Sequence, residues 1–135
     1  MTKLQSRNPS IEGLTVIENK SFGEERALYN SKDVLLSNVK FEGKEDGESA
    51  LKESSDIVVE NCEFSLRYPF WHVTKATINN IKMNDTCRAP MWYAKNISIS
   101  SSTLLAPKNV RECDKIEFND CEIESSEFGW KSNDL

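Results

Sequence analysis

The sequence predicts an all-β fold, a single-stranded right-handed parallel β-helix of about six coils. Three observations predict it. An eight-residue pattern returns six times, apolar residues alternate inside each copy, and Asn or Asp recurs where the strand has to bend.

The copies lie at 15–22, 34–41, 57–64, 76–83, 97–104 and 116–123. Position one reads Thr15, Val34, Ile57, Ala76, Ile97, Ile116, and position three reads Ile17, Leu36, Val59, Ile78, Ile99, Phe118. Position eight reads Phe22, Phe41, Phe64, Met83, Leu104, Ile123. Position two is mostly of exposed type, so the segment alternates with the period of a strand. Its Ile, Val and Phe favour strands. The leucine consensus of a leucine-rich repeat and the three-and-four spacing of a helical repeat are both missing.

Position five reads Asn19, Asn38, Asn61, Asn80, Ser101, Asp120. Asn and Asp tolerate the left-handed backbone region better than other residues with a Cβ. The column therefore predicts a sharp bend, and stacking at ~4.8 Å predicts a ladder of side-chain amides. The functional alternative is a surface row of Asn that binds a ligand.

A third short strand precedes position one. Six residues back stand Leu28, Leu51, Phe70, Met91, Val110, Gly129; three back stand Ser31, Ser54, Val73, Ala94, Cys113, Ser132. Both columns are apolar or small and are expected to face inward, so each coil relies on its neighbours to close the core.

Successive copies start 19, 23, 19, 21 and 19 residues apart. The extra residues fall between Phe41 and Ala50 and between Met83 and Pro90, which marks one loop-bearing corner. A further step of 19 reaches Leu135, so the chain stops as another coil begins. Residues 1–13 match no copy and are expected to cap the other end. The whole of 1–135 reads as one domain.

The net charge is −5 and no Lys/Arg cluster exceeds a pair, which speaks against a nucleic-acid partner. No apolar run is long enough for a membrane helix, and the first residues lack the apolar core of a signal peptide. The expected location is the cytoplasm. Cys62, Cys87, Cys113 and Cys121 form no CxxC pair, and His72 is the single histidine, so no metal and no cofactor is expected. Cys62 and Cys121 share position six but lie three coils apart, ~14 Å, which is too far for a disulfide.

The stretches Gly23-Glu24-Glu25-Arg26-Ala27-Leu28, Ser49-Ala50-Leu51-Lys52-Glu53-Ser54-Ser55, Arg67-Tyr68-Pro69-Phe70-Trp71, Arg88-Ala89-Pro90-Met91-Trp92-Tyr93, Ala106-Pro107-Lys108-Asn109-Val110-Arg111 and Phe128-Gly129-Trp130 carry a resemblance. In this order they are similar to the amino-terminal part of a family of bacterial parallel β-helix proteins, the domain of unknown function DUF3737. The resemblance implies a pectin-lyase-like fold with no assigned activity.

Two columns carry candidate chemistry. Five residues before position one stand Tyr29, Lys52, Trp71, Trp92, Arg111 and Trp130, expected to face out beside the loop corner. Aromatic faces stack on sugar rings, and Lys52 and Arg111 suit hydroxyls or a carboxylate. The bland reading of the same column is a packed ladder held by stacking and cation–π contacts. The next column holds Asn30, Glu53, His72, Tyr93, Glu112 and Lys131. Glu53 and His72, on neighbouring coils, have the geometry of a general acid–base pair, and also of a weak surface ion pair. Glu53 and Glu112 lie ~14 Å apart, outside the ~5–9.5 Å of paired glycosidase carboxylates.

The motifs of known β-helix hydrolases (Asn-Thr-Asp, Asp-Asp, Gly-His-Gly, Arg-Ile-Lys) are absent, and the broken acidic tract at 42–48 lacks a calcium-loop pattern. The leading expectation is a non-enzymatic scaffold that binds a carbohydrate or other polar ligand through Lys52, Trp71, Trp92, Tyr93, Arg111 and Trp130. The alternatives are a carbohydrate-active lyase or hydrolase using Glu53, His72 and Glu112, and an assembly protein that self-associates through its uncapped last coil.

Overall fold

A computed structural model describes residues 14–23, 27–42, 50–125, 127–129 and 131–132. The expected cap at 1–13 lies outside the described residues. Eight strands form one parallel sheet system: β1 (Thr15–Phe22), β2 (Lys32–Phe41), β3 (Ser55–Phe64), β4 (Thr74–Met83), β5 (Lys95–Ser100), β6 (Thr103–Leu104), β7 (Asp114–Asn119) and β8 (Glu122–Ile123). The long path runs β1-β2-β3-β4-β5-β7, and β6 joins β4 to β8. All pairings are parallel. The chain is thus a parallel β-solenoid, and the described residues hold no helix long and apolar enough to cross a membrane.

The register follows the repeat. Thr15 pairs with Val34, Val34 with Ile57, Ile57 with Ala76, Ala76 with Ile97, and Ile97 with Ile116. The 23- and 21-residue spacings leave this register unbroken, because their extra residues fall in the sequence between position eight and the inward columns of the next coil. Position eight builds the centre of the core. Phe22, Phe41 and Phe64 stack at 5.6 and 4.7 Å, and Phe70 tilts against Phe64 at 4.9 Å. Columns six and three residues before position one also point inward: Leu51, Phe70, Met91, Val110, Val73, Ala94 and Cys113 are all buried.

One inward column escaped the sequence pattern. Position six, with Val39, Cys62, Ile81 and Ser102, is buried as well. The cause lies one residue earlier. All six residues at position five have positive φ, between 52° and 57°. A left-handed residue breaks strict alternation, so the inward positions are one, three, six and eight rather than every second residue. Ser102 keeps its place in this column by donating to the Ser100 carbonyl at 2.9 Å and accepting from the Ile81 N–H at 3.0 Å.

The predicted amide contacts form on the exposed side of the same bend as two pairs, each across adjacent coils. Asn38 Nδ2 donates to Asn19 Oδ1 at 2.6 Å, and Asn80 Nδ2 to Asn61 Oδ1 at 2.7 Å. Three further corners per coil use positive φ. They lie six, four and one residues before position one, as at Leu51, Glu53 and Asp56 or at Met91, Tyr93 and Asn96. The backbone ladder continues through these corners: the N–H groups of Glu53, His72 and Tyr93 donate to the carbonyls of Trp71, Trp92 and Arg111 at 2.9 Å.

Candidate ligand-binding groove

The loop corner and the segment that follows it, where the expected third strand is reduced to turns and an isolated Trp92–Arg111 bridge, line a groove of about 390 Å³. Trp71, Trp92 and Ala89 line it together with Tyr68, Arg88 and Lys108 from successive coils, and Asp85 and Pro107 complete it. Its size falls within the range of small-ligand sites. Backbone bonds hold the loop side in place: Tyr68 N–H donates to the Cys87 carbonyl at 3.0 Å, and Lys108 N–H to the Arg88 carbonyl at 2.8 Å.

The two indoles are parallel, with centroids 5.2 Å apart and planes 5° from each other. The Arg111 guanidinium lies 4.8 Å from the Trp92 centroid, and Tyr68 tilts against Trp71 at 5.2 Å. Each indole N–H is tied to the next coil, Trp71 Nε1 to the Ala89 carbonyl at 2.6 Å and Trp92 Nε1 to the Lys108 carbonyl at 2.8 Å. Both rings are half-buried. The facing sides of the indoles are therefore covered by each other, and Arg111 covers a face of Trp92. What they offer the groove is chiefly their edges.

Arg88 stands at the centre of the short corner, after the 3₁₀ turn Asp85–Cys87. Its backbone has φ 57° and ψ −75°, and the Ala89 N–H donates across it to the Cys87 carbonyl at 2.6 Å. This is the positive-φ γ-turn, a rare and strained conformation for a residue with a Cβ. The two residues added to this coil thus set a guanidinium-bearing side chain at the groove.

Of the residues singled out from sequence, Trp71 and Trp92 line the groove. Lys52 and Arg111 belong to the same column on the flanking coils but not to the lining. Tyr93 stands edge-on to Trp71 and Trp92 at 5.9 and 6.2 Å. His72 stacks on Tyr93 at 4.8 Å. Glu53, His72 and Glu112 are exposed and occupy left-handed corner positions away from the groove. Glu112 Oε2 lies 3.4 Å from Arg111 Nε, a half-exposed pair of little energetic weight. Trp130 lies outside the described residues. Sequence reasoning missed Tyr68, Asp85, Arg88, Ala89, Pro107 and Lys108. Their signal was the regular step from Tyr68 to Arg88 to Lys108 across the insertion corner.

All four cysteines are free thiols, and Cys62, Cys87 and Cys113 are buried. Burial disfavours the thiolate and raises their pKa values, Cys62 to about 11 and Cys87 to about 12. Cys113 moves in the same direction for the same reason. Such thiols are poor nucleophiles. Among the described residues, no three His, Cys, Asp or Glu side chains gather into a metal-binding group.

The fold and the groove define a class: a parallel β-solenoid with a lateral aromatic and cationic cleft. Within that class the chain belongs to the family DUF3737, described as a protein of unknown function, whose model matches residues 15–135. No curated protein and no solved structure matches the chain.

Proposed function

We propose that the chain is a non-enzymatic binding module that takes a carbohydrate in the groove beside Trp71 and Trp92. One observation carries this reading. A cleft of about 390 Å³ joins aromatic edges to Arg88, Lys108 and Asp85, a mixture of apolar wall and convergent polar groups. Sugars present both C–H faces and hydroxyls, and this lining answers both. The indoles act as a wall for the ligand rather than as stacking platforms, since their facing sides are occupied.

A glycan array read with wild type and Tyr68→Ala tests the proposal. Binding by the wild type that is weakened in the variant supports it. A wild type that retains no glycan sinks it. Tyr68→Ala is preferred to Trp92→Ala because Trp92 also ties two coils together.

A second reading rests on a different observation. Among the described residues no strand pairs with the outer edge of β7, and Phe118 and Ile123 are half-buried while Phe128 is 39% exposed. Apolar side chains beside a parallel strand edge invite association with another chain. Sedimentation at rising concentration tests this, and a monomer throughout removes it.

A further inference from the structure

We infer that the ligand of this groove carries a carboxylate, so that the groove selects polyhydroxy acids of the sugar-acid class over neutral sugars. The inference rests on the carbohydrate reading above and adds the charge of the ligand.

Three features of the lining point the same way. First, Arg88 and Lys108 are exposed cations on adjacent coils of one groove, and neither forms an ion pair among the described residues. Arg111, by contrast, lies 3.4 Å from Glu112. Second, Trp71 and Trp92 turn edges toward the groove. An aromatic ring is negative on its faces and positive at its edges, so this wall favours an anionic oxygen. Third, the strained γ-turn fixes the backbone of Arg88 at the cleft, in a chain whose net charge is −5. A guanidinium matches a carboxylate with two parallel N–H···O bonds, and a lysine ammonium adds a point charge.

Asp85 is the acidic member of the lining. Its carboxylate accepts hydrogen bonds and suits a ligand hydroxyl. The pair of cations with one acceptor thus calls for an acid that also carries hydroxyls. The stacking on the facing sides of Trp71 and Trp92 argues against a flat aromatic anion inserted between them.

The test compares methyl glucuronide with methyl glucoside, which differ by a carboxylate in place of a hydroxymethyl group. Backbone NMR shifts are followed in the wild type, in the double variant Arg88→Gln/Lys108→Gln, and in Lys95→Gln, an exposed cation outside the groove. The wild type is expected to prefer the glucuronide roughly tenfold, as charge-assisted hydrogen bonds allow. That preference should shrink on raising salt. The double variant should hold the glucuronide no better than the glucoside, and Lys95→Gln should keep the preference. Thermal unfolding of each variant separates lost contacts from lost fold. Equal affinities in the wild type, or a preference that survives the double variant, overturn the inference and leave the carbohydrate reading standing. Binding of neutral oligosaccharides on the array without any response to the glucuronide also overturns it. No binding of any sugar overturns both.

Discussion

Replacing Asn80 by Ala tests the winding of the chain at a single atom group. Asn79 and Asn80 are neighbours on β4, both exposed, and each has a side-chain hydrogen bond on the adjacent coil. Asn79 Oδ1 accepts from Ser100 Oγ at 3.0 Å, and Asn80 donates to Asn61 at 2.7 Å. They differ in backbone: Asn80 has φ 56°, whereas Asn79 is an ordinary strand residue. Each Ala variant loses one exposed hydrogen bond, about 0.5–1 kcal/mol. Asn80→Ala also places a Cβ without polar compensation in the left-handed region, about 1–2 kcal/mol more. The expected costs are therefore ~0.5–1 kcal/mol for Asn79→Ala and ~1.5–3 kcal/mol for Asn80→Ala. Asn80→Gly, free of the Cβ clash, should recover roughly 1 kcal/mol of that difference. Urea unfolding followed by circular dichroism reads all three variants, with an unchanged slope as the sign that the same unit unfolds. Equal costs for the two Ala variants, within ~0.3 kcal/mol, would refute the claim that left-handed corners set the coil.

Other expectations follow from single environments. Phe41 is fully buried between Phe22 and Phe64, so Phe41→Ala should cost ~3–5 kcal/mol and Phe41→Leu clearly less in the same urea assay. Trp92→Ala removes a stack, a cation–π contact and a hydrogen bond, and should cost ~2–3.5 kcal/mol; Trp92→Phe, which retains a ring, should cost about half. Asn109 is fully buried and its side-chain amide has no hydrogen-bond partner among the described residues, so Asn109→Ala should raise stability by ~1–2 kcal/mol, and a loss would show that the amide is satisfied in solution. The pKa values of Cys62 and Cys87 lie above the unfolded value of 9.0, so the folded chain holds those protons more tightly. Their contribution is complete below pH 9 and declines as pH rises toward 11 and 12, and Cys62→Val should flatten the decline seen in alkaline unfolding curves.

The coil was legible in the sequence because its core positions carry strongly biased residue types at a near-constant step. Position five was legible for a second reason, since Asn and Asp advertise a left-handed bend. The corner just before position one carries the same signal at Asp33, Asp56 and Asn96, whereas Leu51, Glu53, Lys75, Tyr93 and Val110 adopt positive φ although their side chains do not favour it. Stacked neighbours and continuous backbone bonds impose that conformation, so it belongs to the assembled solenoid rather than to local preference. The same limit hid the burial of position six. At the site, the Trp column was legible from its step and its packed ladder was one of the two readings of that column. The facing wall was not, because the even step of 20 from Tyr68 to Arg88 to Lys108 does not say which side of a loop meets a cleft.

The corner after position eight behaves as an expansion joint. Steps of 19, 21 and 23 residues share one register, so surplus length between one coil and the next leaves the pairing of the layers unchanged. A lineage can therefore lengthen or rewrite that corner while the load-carrying column beneath it stays untouched. Recognition and architecture evolve on separate accounts in such a chain, and a grafted peptide at the same address would inherit that independence.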